Sequence, residues 1–364
     1  MCENIQIVYD IAIIGAGPAG ATLARLIGNR YKVLLVERRR LPDQADNFSS
    51  MKCCGGLLAP DAQMMLSRLG LGLPKSVLED PQLFVVKSID LQQGLERYYQ
   101  RHYINMNRKK FDSWLLSLVP SDVDIRCGWR LKSFTSENSY FELTLEDEKQ
   151  TIVEKAKILI GADGANSKIR RRSFARQTDP QKYVAIQEWV ESKNDFPFFT
   201  SIFDRSITDF YCWTIPKGDY LLIGAALHPK RNASKHFTIL KTRLEKYGMH
   251  FGKTVFREGT FILRPAKQNQ LFTGRKGIVL LGEAAGWISP SSAEGLSYAF
   301  KSALILADAL GSAPDGFERR YMDKAAQLRR NIFLKNLKAR VIFNPVLRKL
   351  IMRSGVQSIH VGSN

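Results

Sequence analysis

Residues 8–20 read VYDIAIIGAGPAG and set the architecture of the N-terminal part of the chain. The apolar run before the first glycine predicts a buried strand, and the residues after the last glycine predict a helix. In this GxGxxG pattern, Gly15 allows a sharp turn, Gly17 lets backbone approach a pyrophosphate, and Gly20 lets helix and strand pack closely. The helix N-terminus adds N–H groups and a positive dipole end, so the stretch predicts a phosphate-binding turn.

A second apolar run, residues 31–36, predicts the neighbouring strand and leads into Glu37. An acid about 20 residues beyond the glycines is placed to accept hydrogen bonds from the ribose hydroxyls of an adenine dinucleotide. The predicted contact residues are Gly15, Ala16, Gly17, Pro18, Ala19, Gly20, Glu37 and Arg38. The alternative is a glycine-rich turn without a ligand, and the pattern alone does not distinguish FAD from NAD.

The composition is that of a globular protein with one large core and a second lobe. The chain has 364 residues, of which 45% are apolar and 10% aromatic, which excludes wholesale disorder. Because 54 Lys and Arg stand against 35 Asp and Glu, the formal net charge is +19. This charge favours an anionic partner such as nucleic acid, a lipid surface or a phosphorylated substrate.

Several classes of protein are disfavoured by what the sequence lacks. No run of about 18 apolar residues predicts a membrane-spanning helix. The N-terminus has no basic region of the kind that opens a signal peptide, so we expect a cytoplasmic protein. Zinc modules and RNA-binding motifs are also missing, which argues against nucleic acid as the partner. The five cysteines are Cys2, Cys53, Cys54, Cys127 and Cys212, and their spacing predicts neither a structural disulfide nor a metal site.

Three further stretches resemble the FAD-binding elements of the hydroxybenzoate-hydroxylase-like flavoprotein superfamily, in the order found there. Residues 107–112 read NRKKFD, residues 156–167 read AKILIGADGANS, and residues 277–296 read GIVLLGEAAGWISPSSAEGL. The resemblance implies FAD as the cofactor. It also implies cofactor contacts from Arg108, Asp163, Gly282, Glu283, Gly286, Pro290, Gly295 and Leu296. An exposed basic helix start is the alternative interpretation of the first stretch.

The third of these stretches departs from the superfamily pattern at two positions. Glu283 stands where the superfamily usually has Asp, and Ala293 replaces a glycine near the helix start. In relatives this helix points its N-terminus at the flavin, where a helix dipole stabilises the negative charge of the reduced form. Because Glu283 has one more methylene than Asp, the resemblance does not fix the hydrogen bond between this carboxylate and the ribitol of the flavin.

Two more stretches resemble the geranylgeranyl-reductase family within this superfamily. Residues 210–216 read FYCWTIP and, with the later Gly224, are similar to the motif YxWxFP…GxG, although Ile215 and Ala226 depart from it. Residues 51–57 read MKCCGGL and are similar to a Cys-Gly-Gly segment, which implies that Cys54, Gly55 and Gly56 lie near the flavin. The combination of CCGGLLAPDAQ, YINMNRKKFD and GEAAGWIS is most similar to the CbrA-type flavoproteins of enteric bacteria.

Cys54, Tyr211 and Trp213 are the candidate substrate-contacting residues. Tyr211 and Trp213 alternate along a predicted strand, so they share one face and could line an isoprenoid site. Filling the core is the alternative role for this pair. The Cys54 thiol could contact substrate or donate a proton, whereas a buried cysteine is more often inert. A redox disulfide between Cys53 and Cys54 is not expected. None of the histidines falls in these motifs, so the sequence identifies no histidine as a general acid or base.

We therefore predict an α/β fold with a Rossmann-like FAD-binding domain, an inserted and mostly antiparallel β substrate domain, and a C-terminal helical segment. The FAD-binding domain is assigned to residues 1–77, 101–180 and 262–318. The substrate domain is assigned to residues 78–100 and 181–261, and the helical segment to residues 319–364.

The helical segment is strongly basic. From Tyr321 onward, nine Lys or Arg stand against the single acid Asp323, and apolar residues recur at helical spacing until the break at residues 343–345. This pattern predicts an amphipathic helix pair that docks on an anionic membrane surface through residues 321–353. A solvated face that covers the flavin domain is the alternative.

The functional hypothesis is an FAD-dependent reductase that transfers hydride to C=C bonds of a polyprenyl or other apolar lipid. A flavin monooxygenase of an aromatic or lipid substrate is the first alternative, because the same FAD motifs serve both. A non-catalytic FAD protein that binds a polyprenyl carrier is the second. The chain has no second dinucleotide fingerprint, so the electron donor is either a transiently bound NAD(P)H or a reduced carrier.

Overall fold

The computed structural model describes residues 8–40, 53–175, 178–192, 197–312 and 315–361. Cys2 and residues 51–52 of the Cys-Gly-Gly stretch lie outside these ranges. Within them, no helix combines the length and the apolar character needed to cross a bilayer.

Sixteen strands are formed by the described residues. They are β1 (Val8–Ile14), β2 (Val33–Glu37), β3 (Leu57–Leu58), β4 (Leu83–Asp90), β5 (Leu95–Asn105), β6 (Asp124–Cys127), β7 (Arg130–Ser136), β8 (Phe141–Glu146), β9 (Thr151–Gly161), β10 (Gln181–Glu191), β11 (Phe199–Phe203), β12 (Cys212–Lys217), β13 (Tyr220–Leu227), β14 (Thr254–Arg264), β15 (Gly274–Arg275) and β16 (Ile278–Leu280).

The same residues form nine α-helices. They are α1 (Pro18–Ile27), α2 (Pro60–Arg68), α3 (Arg108–Ser117), α4 (Lys168–Ser173), α5 (Ala233–Lys246), α6 (Leu296–Ser312), α7 (Phe317–Lys324), α8 (Ala326–Ile342) and α9 (Pro345–Ser354).

The first sheet contains the glycine turn and has the order β15-β16-β9-β1-β2-β6, with β7 and β8 attached to β9. Its central strands are parallel, and Ile13 of β1 lies between Leu35 and Ile160 of its two neighbours. Buried parallel strands need cover on both faces. Helices α1 and α6 pack on one face, and α8 contributes Leu328 and Ile332 to the core on the other.

The second sheet has the order β14-β10-β13-β12-β11-β4-β5-β3 and is antiparallel except where β11 pairs with β4. Helix α5 packs on one face through Phe237, Leu240 and Leu244. The opposite face carries an aromatic cluster that includes Trp213. These features confirm the predicted α/β fold with its mostly antiparallel second sheet and helical C-terminal segment, while the assigned domain boundaries stay predictions.

The C-terminal helices break where the sequence predicts. Helix α8 ends at Ile342, and α9 begins at Pro345, whose missing N–H costs nothing at a first helical position. The Asn344 side chain caps α9 by accepting hydrogen bonds from the N–H groups of Val346 and Leu347. The two helices therefore form an angled pair rather than one continuous rod.

Candidate active site

A cavity of about 1800 Å³ is lined by both sheets and by the C-terminal helices. Most of the predicted site residues line it: Gly15, Gly17, Pro18, Ala19, Glu37, Arg38, Cys54, Gly55, Gly56, Arg108, Asp163, Tyr211, Trp213, Gly282, Glu283, Gly295 and Leu296. The structure does not bring Ala16, Gly20, Gly286 or Pro290 to the cavity wall. The tertiary fold thus collects residues from all the predicted FAD elements and from the aromatic motif around one space.

The three glycines of the turn have different surroundings. A Cβ on Gly20 would lie 1.9 Å from the carbonyl oxygen of Gly15, and one on Gly15 would lie 2.5 Å from that of Ala162. A Cβ on Gly17 would meet no atom within 4 Å. Gly15 and Gly20 therefore allow close packing of the backbone, whereas Gly17 leaves open space at the N-terminus of α1. This opening fits the pyrophosphate of a dinucleotide.

Glu37 is already hydrogen-bonded to the protein on both carboxylate oxygens. Oε2 accepts from the N–H of Ala16 at 2.9 Å, and Oε1 accepts from the backbone N–H and from Nε of Arg39, each at 3.0 Å. Burial by itself raises the pKa of Glu37, but Arg39 and the backbone N–H groups outweigh it and hold the pKa below its ordinary value. The carboxylate is thus a fixed anion with lone pairs left for ribose hydroxyls.

Arg39 is a site residue that the sequence pattern does not single out. It bridges Glu37 to Asp112 of α3, with Nη1 at 3.2 Å from Asp112 Oδ2. It also lines the cavity. Nothing in the dinucleotide pattern predicts this bridge, because α3 joins the site only through the tertiary fold.

Arg108 lies buried at the start of α3, with 5% of its surface exposed, so the alternative of an exposed basic helix start is wrong. Nε donates to Asp112 Oδ1 at 2.7 Å, and Nη1 donates to Cys54 Sγ at 3.2 Å. The side chain of Asn107 caps the helix by accepting from the N–H of Lys110. Arg108 therefore holds the Cys54 thiol in place at the cavity wall.

Asp163 lies at the carboxyl end of β9. Its Oδ2 accepts from the N–H of Lys168 at 2.8 Å, while Oδ1 is buried and has no hydrogen-bond partner of normal geometry. Burial raises the pKa of Asp163, although Ser167 and nearby backbone N–H groups oppose the shift. A buried acceptor without a donor is costly. A cofactor hydroxyl or N–H is the kind of group that would satisfy it.

The segment before α6 accounts for the remaining predicted contacts. The Glu283 carboxylate turns toward the second sheet, where Oε1 accepts from the N–H of Leu263 at 2.9 Å. Ala293 holds a left-handed φ of 52°, a conformation that favours glycine. Glu294 accepts from the N–H and the hydroxyl of Ser297, each at 2.7 Å, at the start of α6.

Two residues of this segment support the backbone instead of lining the cavity. Gly286 closes a short turn with φ of 85°, where a Cβ would lie 2.9 Å from the carbonyl oxygen of Gln270. The carbonyl oxygen of Pro290 accepts from Arg264 Nε at 3.2 Å.

Tyr211 and Trp213 stand side by side on the cavity wall, with ring centroids 5.4 Å apart. Tyr211 donates its hydroxyl to the carbonyl oxygen of Ser292 at 2.7 Å, which fixes the ring. A Cβ on Gly224 would lie 2.2 Å from Trp213 Cε2, so the glycine makes room for the indole. The role of these rings in substrate contact stays a prediction.

Comparison with known proteins decides the family. No protein-family model matches the chain. Protein CbrA of Escherichia coli strain K12 is 40% identical over 351 residues, which cover 96% of this chain and 98% of that protein. The chain belongs to the CbrA family. The predicted resemblance to CbrA-type proteins is thereby confirmed.

Two solved structures share the fold of this chain. A geranylgeranyl bacteriochlorophyll reductase-like protein from Thermoplasma acidophilum superposes with a TM-score of 0.79 at 17% identity, over 95% of this chain and 91% of that one. PqsL of Pseudomonas aeruginosa, a probable FAD-dependent monooxygenase, superposes with a TM-score of 0.69 at 17% identity, over 96% of this chain and 99% of that one. At such identities the likeness establishes a shared fold.

This CbrA-family chain also has two buried ionisable groups near the site that sequence reasoning missed. Lys217 Nζ donates to the carbonyl oxygens of Gly56 and Met106 at 3.1 and 2.9 Å, and burial lowers the pKa of Lys217 to about 8. Lys217 directly follows the proline of the aromatic motif, but its position in sequence does not reveal its burial. It ties the Cys-Gly-Gly loop to the second sheet.

Glu258 is the second missed group. It pairs with Gln187 across the ladder of β10 and β14, and Gln187 lines the cavity and accepts a hydrogen bond from the Cys53 thiol. Both Glu258 carboxylate oxygens are buried without a hydrogen bond of normal geometry, although the Trp189 indole lies close. Desolvation raises the pKa of Glu258 to about 7, against the opposing effect of Trp189.

Proposed function

We propose that the chain is an FAD-dependent oxidoreductase that reduces C=C bonds of a polyprenyl or similar apolar lipid. The observation that carries this proposal is the continuity of one cavity from the glycine turn, past an aromatic wall, to the C-terminal helices. A cofactor site and a substrate site with an apolar wall would thus share one continuous space.

The residues of the first sheet suit FAD. The open space at Gly17 would take the pyrophosphate, Glu37 the ribose hydroxyls, and the unpaired Oδ1 of Asp163 a further donor of the cofactor. Bound there, FAD would supply the hydride-transfer chemistry. PqsL, whose name records FAD dependence, supports this assignment through the shared fold.

The protein itself would contribute orientation and a dry environment. Tyr211 and Trp213 offer an apolar wall of two rings tilted by 49° to each other, and the hydrogen bond from the Tyr211 hydroxyl to the carbonyl oxygen of Ser292 fixes the first ring. An isolated alkene is a poor hydride acceptor, so holding it in one orientation has to supply much of the rate. Cys54 lies on the same wall under Arg108, where its thiol can contact the substrate or hand over a proton.

Exposed apolar side chains on α8 and α9 support docking on a membrane surface. Val346 is 67% exposed and Leu350 61% exposed, and Phe333, Leu334 and Leu337 are also open to solvent. Arg340, Lys349 and Arg353 lie on the same two helices. Apolar side chains beside cations match an anionic bilayer, from which an isoprenoid lipid would be drawn. We therefore propose a peripheral protein on the cytoplasmic face of the membrane.

A flavin monooxygenase is the second candidate function. The observation in its favour is the superposition with PqsL, which extends over 96% of this chain and 99% of that one. The two functions differ in whether oxygen is needed, so one experiment separates them.

The test uses the FAD-loaded protein, reduced under anaerobic conditions and then mixed with a total lipid extract. Recovery of the oxidised-flavin absorbance without oxygen, with a lipid that gains two hydrogens by mass spectrometry, is the expected result. Reoxidation only after oxygen is admitted, with an oxygenated product, would establish the monooxygenase instead. Tight lipid binding without any turnover would show a protein whose task is to bind a polyprenyl carrier. The same assay run with NAD(P)H or with a reduced carrier identifies the electron donor.

A further inference from the structure

Glu294 lines the cavity but is not one of the predicted FAD contacts. It is half-buried and belongs to the segment between Pro290 and the start of α6. Its Oε1 accepts from the N–H of Ser297 and its Oε2 accepts from the Ser297 hydroxyl, each at 2.7 Å. Because both oxygens are bonded to one residue, the carboxyl group is held in a single orientation at the start of α6.

The segment that carries Glu294 lies against the aromatic wall of the cavity. The Tyr211 hydroxyl donates to the carbonyl oxygen of Ser292, two residues before Glu294, at 2.7 Å. Ala293 packs against the apolar cluster that contains Trp213. Glu294 therefore lies beside the wall against which the proposed function holds the apolar chain of a lipid.

The surroundings of the Glu294 carboxyl favour its protonated form. Burial raises the pKa of Glu294 above its ordinary value, and the negative charge of Asp61 adds to the shift. Hydrogen bonds from Ser297 and the positive charge of Lys301 oppose it without cancelling it. A carboxyl group that keeps its proton to a higher pH is suited to act as a general acid. The ionisable groups that act on Glu294 or respond to its charge are Asp61 of α2, Tyr103 of β5, and Tyr298 and Lys301 of α6.

The Cys54 thiol, by contrast, is placed as a hydrogen-bond acceptor. Its Sγ accepts from Arg108 Nη1 at 3.2 Å and from the backbone N–H of Gly56 at 3.5 Å. A sulfur that receives two hydrogen bonds, one of them from a guanidinium, is stabilised as an acceptor and not as a proton donor. Among the described residues that line the cavity there is no histidine. Glu294 is therefore the better proton source at the aromatic wall.

We propose that Glu294 is the general acid of the lipid reduction, a role that rests on the proposed function. One alkene carbon receives the hydride that reduced FAD supplies, and the neighbouring carbon receives a proton as the O–H bond of Glu294 breaks. The π bond is replaced by two C–H bonds, so the lipid gains two electrons and the cofactor loses them. The carboxylate left on Glu294 takes a new proton from solvent before the next turnover.

The test follows a single turnover of the FAD-loaded, full-length protein, reduced under anaerobic conditions and mixed with an excess of total lipid extract. Return of the oxidised-flavin absorbance gives the rate constant, which Glu294→Gln should lower by about a hundredfold or more. In the unaltered protein the rate should fall as the pH rises through the pKa of Glu294, and the variant should lack this fall. Ser297→Ala removes a hydrogen bond that lowers this pKa, so it should move the fall to higher pH. A residue that only caps α6 would not move the pH profile.

Infrared difference spectroscopy reads the protonation of Glu294 without turnover. The carbonyl band of a protonated carboxyl, present in the FAD-loaded protein and missing from Glu294→Gln, should persist to a higher pH than that of an ordinary glutamic acid. Glu245→Gln, at an exposed position on α5, is the matched control and should change neither the rate nor the spectrum. Both glutamine variants should retain FAD. Cys54→Ser should keep the pH dependence of the rate.

The general acid and the reductase function fail in different ways. If the unaltered protein reduces a lipid without oxygen and Glu294→Gln does so at the same rate, the reductase stands and the general acid is wrong. A pH dependence that disappears in Cys54→Ser, or a Glu294 carboxyl that ionises like an ordinary one, also overturns the general acid. If no component of the extract reoxidises the flavin without oxygen, the reductase function is wrong, and Glu294 has no alkene to protonate.

Discussion

Arg348 of α9 donates from Nε to Asp90 Oδ2 of β4 at 2.8 Å, and neither side chain is more than 7% exposed. The same guanidinium lies over the ring of Phe203 at 4.8 Å. This ion pair joins the end of the chain to the second sheet. Because α8 and α9 help to line the cavity, the pair also determines the shape of its outer end.

Arg348→Met should lower the free energy of unfolding by about 3 kcal/mol, because it leaves the Asp90 carboxylate buried without its cation. Denaturant unfolding at saturating FAD measures the change. Arg40→Met is the control, since it breaks the Arg40–Glu148 pair, whose side chains are 67% and 76% exposed. That control should cost less than about 1 kcal/mol. Equal losses in the two variants would contradict a structural role for the buried pair.

Glu258 should make the stability of the protein depend on pH. Its pKa is about 7 in the folded state against an ordinary value of 4.5, so the folded state holds the proton more tightly. Stability from this group is present below about pH 4.5 and is lost as the pH rises through about 7, by up to about 3 kcal/mol in total. The unfolding free energy measured at a series of pH values reports this loss.

Glu258→Gln should remove that contribution to the pH profile and stabilise the protein at pH values above about 7. Glu245→Gln, at an exposed position on α5, is the matched control and should leave the profile unchanged. A profile of Glu258→Gln that coincides with that of the unaltered protein would show that the carboxylate is solvated.

Gly17 and Gly20 of the turn should respond differently to alanine. Gly20→Ala drives a Cβ into the Gly15 carbonyl, so it should destabilise the protein even without cofactor, by about 2 kcal/mol or more. Gly17→Ala fills only open space, so the apoprotein should keep its unfolding temperature while its affinity for FAD falls. Thermal unfolding of the apoprotein and FAD titration separate the two effects. Unimpaired FAD binding by Gly17→Ala would exclude this turn as the pyrophosphate site.

The exposed apolar side chains of α8 and α9 are proposed to contact the membrane. The double substitution Val346→Ser and Leu350→Ser should therefore weaken binding to vesicles of phosphatidylglycerol and phosphatidylcholine by about tenfold or more. Co-sedimentation measures the bound fraction, and binding by the unaltered protein should fall at high salt. Val153→Ser removes an apolar side chain of the first sheet that is also exposed, and it should have no effect. Binding that is insensitive to both variants would leave the exposed side chains without a membrane role.

Local sequence was sufficient for the first two strands of the first sheet and for the glycine turn between them. The strand, the three glycines, the helix and Glu37 follow one another within residues 8–37, so their spacing alone constrains the geometry. The break at residues 343–345 is equally local, because Pro345 and the Asn344 cap act within one turn of helix.

Local sequence did not reveal which charged residues are buried or which residues of distant segments contact each other. Glu258 and Lys217 look like ordinary charged residues until the second sheet encloses them, and the sequence around Arg108 left an exposed helix start open as an alternative. A pKa depends on the solvent and charges around a group, and those are set by segments distant in sequence. Residue spacing within one segment therefore does not predict the pKa of a group in the folded protein.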